Sequence, residues 1–318
     1  MSTTDAGVVA PAGSPRVDDA RPHTARRRRR IKDFEAYLLL GPALVLVGIF
    51  AGYPLLRSVW YAFNEANLFE GIVKFVGFDN FGSVVTDRDF GTFAGNTAVW
   101  TFGAVAIQLV CGLGAALLMN QRFVLRGVFR GLAMIPWATP SVLVALMWLW
   151  ILDPNHGILN KVLLGLNLID QPLELLSSPG TALPTLIMID VWQGVPLFAV
   201  MILAALQGVP PDLREAAAVD GCGRFATFRS VVLPVILPTI MITTLLRLIW
   251  TANYVDLVLI MTQGGPGTSS TTWALESYIT AYKSADLGKG AAYAVLQAVI
   301  LCIFVAMYLR MTRRSEKS

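Results

Sequence analysis

The sequence predicts an all-α integral membrane protein with six transmembrane helices and a cytoplasmic helix–turn–helix between the fourth and the fifth. Three observations predict it. Of 318 residues, 55% are hydrophobic and 14% charged, about half the charged share of a soluble domain, and the mean hydropathy is +0.61. Six segments, 36–60, 96–119, 131–152, 182–206, 238–262 and 289–311, are each apolar over the roughly 20 residues that cross a bilayer core. In lipid they must be helices, because an open strand would leave its backbone groups unpaired. The third observation is the uneven placement of Lys and Arg. Eight precede residue 36, three lie in 120–130, three in 207–237 and four in 310–318, against two, one and two in 61–95, 153–181 and 263–289. The positive-inside rule then places both termini and the loop 208–238 in the cytoplasm.

Residues 1–32 are rich in Pro, Gly, Ser, Thr, Asp and Arg, with no apolar periodicity, and are expected to be a disordered basic tail. The run Arg26–Arg30 has two readings, a nucleic-acid patch or a topogenic signal. Its position beside an apolar span favours the second, so no nucleic-acid partner is expected. The span that follows is too long for a signal-peptide core and no A-x-A site ends it, so it is read as a retained first helix. The membrane domain is expected over 33–312, with 313–318 as a second cytoplasmic tail. Within it, loop 61–95 holds Phe75-Val76-Gly77-Phe78-Asp79-Asn80-Phe81, too aromatic for a free linker and expected to pack over the outer helix ends. Asp153-Pro154-Asn155-His156-Gly157 ends the third span, and Gly264-Gly265-Pro266-Gly267 follows the fifth. Cys111, Cys222 and Cys302 have no disulfide or metal spacing. With only His23 and His156 besides, no metal site and no catalytic triad is expected. No internal repeat supports an inverted-repeat transporter.

The stretch Glu215 to Pro234, EAAAVDGCGRFATFRSVVLP, is the most polar interruption of the apolar pattern. Pro210-Pro211 starts a helix, with Asp212 and Glu215 near its positive end. Leu213, Ala216, Ala217 and Asp220 share one face. Gly221 and Gly223 are expected to turn the chain through φ > 0, and a second short helix carries Phe225, Phe228 and Val232 until Leu233-Pro234 and Leu237-Pro238 end it. A membrane-surface loop and a docking element for a cytoplasmic partner both fit. The small-residue face favours docking, since a helix resting on lipid carries bulky apolar and basic residues.

Glu215-Ala216-Ala217, three residues, Gly221, nine residues, then Val231-Val232-Leu233-Pro234 resembles the EAA-x3-G-x9-I-x-L-P loop of binding-protein-dependent ABC importer permeases, with Val231 in place of isoleucine. Phe75–Phe81, Asp190-Val191-Trp192-Gln193-Gly194-Val195-Pro196, and Ile249-Trp250-Thr251-Ala252-Asn253-Tyr254 leading to Thr262-Gln263-Gly264-Gly265-Pro266 resemble the sugar permeases of the maltose-transporter type. The resemblance covers about 36–311. It implies that Glu215, Ala216, Ala217, Asp220, Gly221, Leu233 and Pro234 form the element docked by an ATPase. Glu215 would pair with a basic residue there and Gly221 would permit the turn. No phosphate-binding G-x-x-x-x-G-K-[ST] loop is present, since Gly288-Lys289-Gly290 lacks the upstream glycine and the hydroxyl. This chain is therefore expected to be no enzyme and to bind no cofactor, with ATP and Mg on the partner. The implied assembly holds a second permease chain, an ATPase dimer and an extracytoplasmic solute-binding protein, in the bacterial inner membrane.

Polar groups inside spans are costly and mark functional candidates. Thr243, Arg247, Thr251 and Tyr254 fall on one stripe of the fifth span, with Asn253 and Asp256 on another face. Arg247 and Asp256 are nine residues apart and cannot pair within the helix, so each needs a partner elsewhere. Asn253, Tyr254, Asp256, Arg247 and Thr251, with Trp192 and Gln193 on the fourth span, are the candidates for the path of a sugar. The opposing reading makes Arg247 and Asp256 structural partners between helices, or has Arg247 snorkel inward. Two rival functions are an ion-coupled secondary carrier with Asp256 as its protonation site, and a sensor whose basic tail recruits partners.

Overall fold

The structure, a computed structural model, describes residues 40–121 and 124–315. The tail expected over 1–32 and the last three residues lie outside these. The chain divides at Leu56/Arg57 into two compact units. Residues 40–56, the described part of the first, are helical and none is buried. They belong to the apolar helix α1 (Leu40–Ala62).

In the second unit, a hairpin of β1 (Asn64–Asn67) and β2 (Gly71–Phe75) precedes α2 (Asp79–Val85). The strands are antiparallel, Asn64 opposite Phe75, with one irregularity between Glu65 and Ala66. This pair of strands is a departure from helix that the sequence does not announce. The aromatic segment 75–81 holds it in place. Gly77 takes φ +60°, Asn80 Nδ2 donates to the carbonyls of Ala62 and Asn64 at 3.0 and 2.9 Å, and the rings of Phe63, Phe78 and Phe81 lie 5.2–5.7 Å apart.

The long helices are α3 (Phe90–Met119), α7 (Ala182–Gln207) and α9 (Arg224–Met261), with α11 (Leu287–Ser315) closing the chain. Between them lie α4 (Arg126–Ala138) and α5 (Ser141–Leu152), α6 (Ile158–Gly165), α8 (Pro211–Val219) and α10 (Trp273–Tyr278). Among the described residues five helices are long and apolar enough to span a membrane, and six if α4 and α5 count as one. The segment expected as a single third span, 131–152, is not straight. Thr139 and Pro140 take extended backbone angles, and α4 and α5 meet at 93°. A residue before proline is biased out of the α region, which puts the bend there.

Three further boundaries move. The second span begins at Phe90, six residues before the expected 96. The last helix runs through Ser315, into the expected tail. The fifth starts inside the loop, because Pro234 occupies a first helical turn, where its missing N–H costs little, and Pro238 is carried within Leu233–Ala252. Helix α9 also contains a π turn, Phe228–Val232, and breaks at 253–255.

Helices α3 and α7 form the closest pair. A Cβ on Gly112 would run into Phe198, so the glycine lets the backbones approach, as small residues do between membrane helices. Two apolar clusters divide α7. One, around Trp100, Leu186, Ile189, Leu257 and Leu275, uses its first half; the other, around Met119, Phe198, Ile202 and Ile236, uses its second. The polar residues Asp190, Gln193 and Gly194 fall where the two clusters meet.

Candidate functional site

At that junction three helices place charged and amide groups together. Arg247 Nη2 of α9 lies 3.1 Å from Asp190 Oδ1 of α7, and Arg247 Nε donates to Gln108 Oε1 of α3 at 2.9 Å. Gln108 Nε2 donates to Asp190 Oδ2 and to the Asp190 carbonyl, both at 2.9 Å. Gln108 is fully buried, Asp190 is 1% and Arg247 8% exposed. The triad is closed on itself: each charge has an opposite charge and an amide, which a pair inside a membrane requires. Its tightness depends on Gly194, where a Cβ would collide with Gln108 Cδ and lie 2.7 Å from Arg247 Nη2. Arg247 thus has its partner on another helix, and it is an interhelical structural pair.

Beside the triad lies a cavity of about 180 Å³ lined by Trp137, Ser141, Gln193, Arg247, Trp250, Thr251 and Tyr254. It sits at two breaks. The bend between α4 and α5 contributes Trp137 and Ser141, and Gln193 Nε2 holds the freed Thr139 carbonyl at 3.2 Å. The break in α9 frees the carbonyls of Thr251 and Ala252, which accept from Trp100 Nε1 at 2.8 Å and Gln297 Nε2 at 2.7 Å. Irregular backbone at membrane depth persists where protein groups satisfy it or it lines a cavity; both hold here. Tyr254 Oη donates to Gln193 Oε1 at 2.9 Å. Thr251 is 1% exposed, and its Oγ1 has no hydrogen-bond partner among the described residues.

Of the residues singled out from sequence, Gln193, Arg247, Thr251 and Tyr254 come together on this cavity. Asn253 does not line it; its side chain donates to the Ile249 carbonyl of its own helix. Asp256 also lies outside the lining and accepts from Ser141 Oγ at 2.8 Å. Trp192 packs edge-on against Trp148, centroids 5.7 Å apart. Sequence reasoning passed over Gln108, Ser141 and Trp137, and met Asp190 and Trp250 only within the motifs that resemble sugar permeases, without choosing them as candidates. Asp190 carried a usable signal, a carboxylate within an apolar span.

The second site is the loop 208–238. Helix α8 ends in a left-handed turn: Gly221 has φ +78°, Cys222 N–H bonds the Ala217 carbonyl at 2.9 Å and Gly221 N–H bonds that of Ala218 at 3.1 Å. That is a Schellman closure. Gly223, expected to share the turn, has φ −68° and begins the next helix. Glu215, Ala216, Asp220 and Pro234 are exposed, Leu233 is half-buried, and Ala217 is buried against its own chain. The small-residue face is therefore split, with Ala217 turned inward. Because α9 starts at Arg224 and reaches the cavity at Arg247, one helix about 35 Å long at 1.5 Å per residue connects loop and cavity. No cluster of His, Cys, Asp or Glu among the described residues could hold a metal ion.

A polar, aromatic-walled cavity inside a bundle of apolar helices, joined by one helix to an exposed loop, is the build of a multi-pass membrane transport subunit. The chain belongs to the binding-protein-dependent transport system inner membrane components, whose family model matches residues 108–316. It is 32% identical over 277 residues to the trehalose/maltose transport system permease protein MalF of Thermococcus litoralis, covering 87% of this chain and 93% of that one. It is 34% identical over 282 residues to the sulfoquinovosyl glycerol transport system permease protein SmoG of Agrobacterium fabrum, covering 88% and 91%. Its fold matches a chain of a bacterial ABC transporter involved in the import of the acidic polysaccharide alginate, with TM-score 0.78 and 23% identity over 91% of this chain and 99% of that one. Membership in this family overturns the rival expectation of an ion-coupled carrier protonated at Asp256.

Proposed function

We propose that this chain is the permease subunit of an ATP-driven importer for a carbohydrate, contributing half of the translocation pathway. The observation that carries the substrate class is the cavity at the α9 break. Trp137, Trp250 and Tyr254 offer aromatic faces to the C–H face of a sugar ring, while Gln193, Ser141 and the Tyr254 hydroxyl offer hydrogen bonds to its hydroxyls. Relatives named for trehalose, maltose and sulfoquinovosyl glycerol support the same class. Arg247 contributes shape and no net charge, since Asp190 neutralises it.

In this reading both termini and the loop 208–238 face the cytoplasm. Glu215, Ala216, Asp220 and the Gly221 turn dock one subunit of an ATPase dimer that holds ATP and Mg. A second permease chain completes the pathway, and an extracytoplasmic solute-binding protein delivers the sugar. Closure of the ATPase dimer pushes α8 and the start of α9, and α9, helical through Ala252, carries that push to residues 247–252. The chain itself hydrolyses nothing. The test is uptake of a panel of labelled oligosaccharides and polyols into proteoliposomes holding the complete complex. Uptake should require lumenal ATP and the binding protein and should survive an uncoupler. Uptake driven by a proton gradient without ATP would refute the reading.

A further inference from the structure

Behind α8 lies a second cavity, of about 330 Å³, which the transport cycle described above does not use. Its lining has two halves. Leu117 at the end of α3, Leu206 at the end of α7, and Phe228 and Val232 at the start of α9 form an apolar wall, while Arg214, Arg224, Asn120 and Thr227 supply the polar lining. Arg214 Nη2 donates to the Leu206 carbonyl at 3.0 Å, capping α7. Arg130, outside this lining, likewise caps α3, its Nη2 donating to the Met119 carbonyl at 2.7 Å. In both, Nε is buried without a hydrogen-bond partner among the described residues. None of Arg130, Arg214 and Arg224 forms an ion pair among the described residues, and no acidic residue lines the cavity. The half-buried Arg214 and the exposed Arg224 thus line one cavity with no counter-charge, an arrangement that suits an anion.

We propose that this cavity binds the phosphate headgroup of an anionic phospholipid, its glycerol and acyl region lying along the apolar wall. The inference rests on the cytoplasmic placement of this loop. Geometry favours a lipid over an acidic side chain of the ATPase. On α8, Arg214 and Ala218 lie on the face that lines the cavity, and Asp212, Glu215, Ala216 and Val219, at the i, i+3, i+4, i+7 spacing of the opposite face, are exposed. The cavity therefore opens away from the docking face, where the spans end and headgroups lie. Basic pockets between helix ends on the cytoplasmic side suit such headgroups, and an occupied pocket would brace α8 against the bundle.

Cys222 reports occupancy, because it lines the cavity and is a free thiol. The full-length chain with Cys111→Ser and Cys302→Ser is placed in nanodiscs of phosphatidylcholine with or without phosphatidylglycerol, and the rate of Cys222 alkylation is measured. Phosphatidylglycerol should slow alkylation at least about fivefold, the preference roughly expected from one arginine at an anionic surface. Arg224→Gln, at an exposed residue with no partner to lose, should restore the rate. Equal protection by millimolar inorganic phosphate in phosphatidylcholine would replace the lipid by a free anion and overturn the proposal. Protection that appears only on adding the ATPase would assign the cavity to a protein carboxylate, and an unchanged rate would also overturn it. An impermeant thiol reagent that reached Cys222 in intact cells but not in inverted vesicles would instead contradict the loop's cytoplasmic placement.

Discussion

Removing either charge of the Arg247–Asp190 pair should cost far more than removing both. In Asp190→Leu the guanidinium, 8% exposed, loses its carboxylate at 3.1 Å and keeps only the Gln108 amide at 2.9 Å. In Arg247→Met the carboxylate keeps the Gln108 donor but loses its counter-charge. Stranding one member of a buried pair costs about 3–5 kcal/mol, whereas replacing both by apolar groups of similar volume is often neutral or better. Asp190→Leu/Arg247→Met should therefore be less destabilised than either single variant, with a coupling of at least about 3 kcal/mol in a double-mutant cycle. The assay is denaturant unfolding of the purified chain in mixed micelles, followed by helical circular dichroism. Additive losses in the double variant would refute the reasoning, because each charge would then be satisfied independently.

Gly194→Ala puts a methyl where Gln108 and Arg247 already meet, and overpacking of this kind costs roughly 1–3 kcal/mol; the same unfolding assay should show it, while Gly114→Ala, with open space around it, should be neutral. Burial pushes the Glu276 carboxyl above its ordinary value, against the opposing hydrogen bond from Thr280. A raised folded value favours the neutral form, so the contribution of Glu276 is fully present below the unfolded value and is lost as pH rises through the folded one. Glu276→Gln should thus raise the melting temperature at pH 7, with the gain shrinking as pH falls toward 4; a gain independent of pH would contradict the assignment.

Much of the fold was legible because periodicity and length decide a membrane span. The fourth span was expected at 182–206 and is observed as Ala182–Gln207. The bend at Thr139-Pro140 was half-legible: proline marks a break, but its angle depends on what α4 and α5 pack against. The break at 253–255 contains no proline or glycine. It is stabilised by Trp100, 151 residues away from Thr251, and by Gln297, 45 residues from Ala252, partners that only the fold brings near. A stripe drawn on an unbroken helix put Tyr254 with Arg247 and Thr251 and left Asn253 and Asp256 on another face, and the cavity lining divides them the same way. Asp190 could be suspected from its charge, yet its pairing with Arg247 and Gln108 is a tertiary fact. Pro234 and Pro238 were read as terminators because interior proline usually breaks a helix; in this chain one opens a helical segment and the other is tolerated inside it.

In the proposed cycle Glu215 and its turn receive the work of a separate ATPase, and ATP-driven uptake in the reconstituted complex carrying Glu215→Ala tests that role. Loss of one partner of a buried interfacial charge pair costs about 2–5 kcal/mol, so uptake should fall at least about tenfold while membrane insertion and pairing with the second permease stay unchanged. Uptake at the wild-type rate would contradict the account.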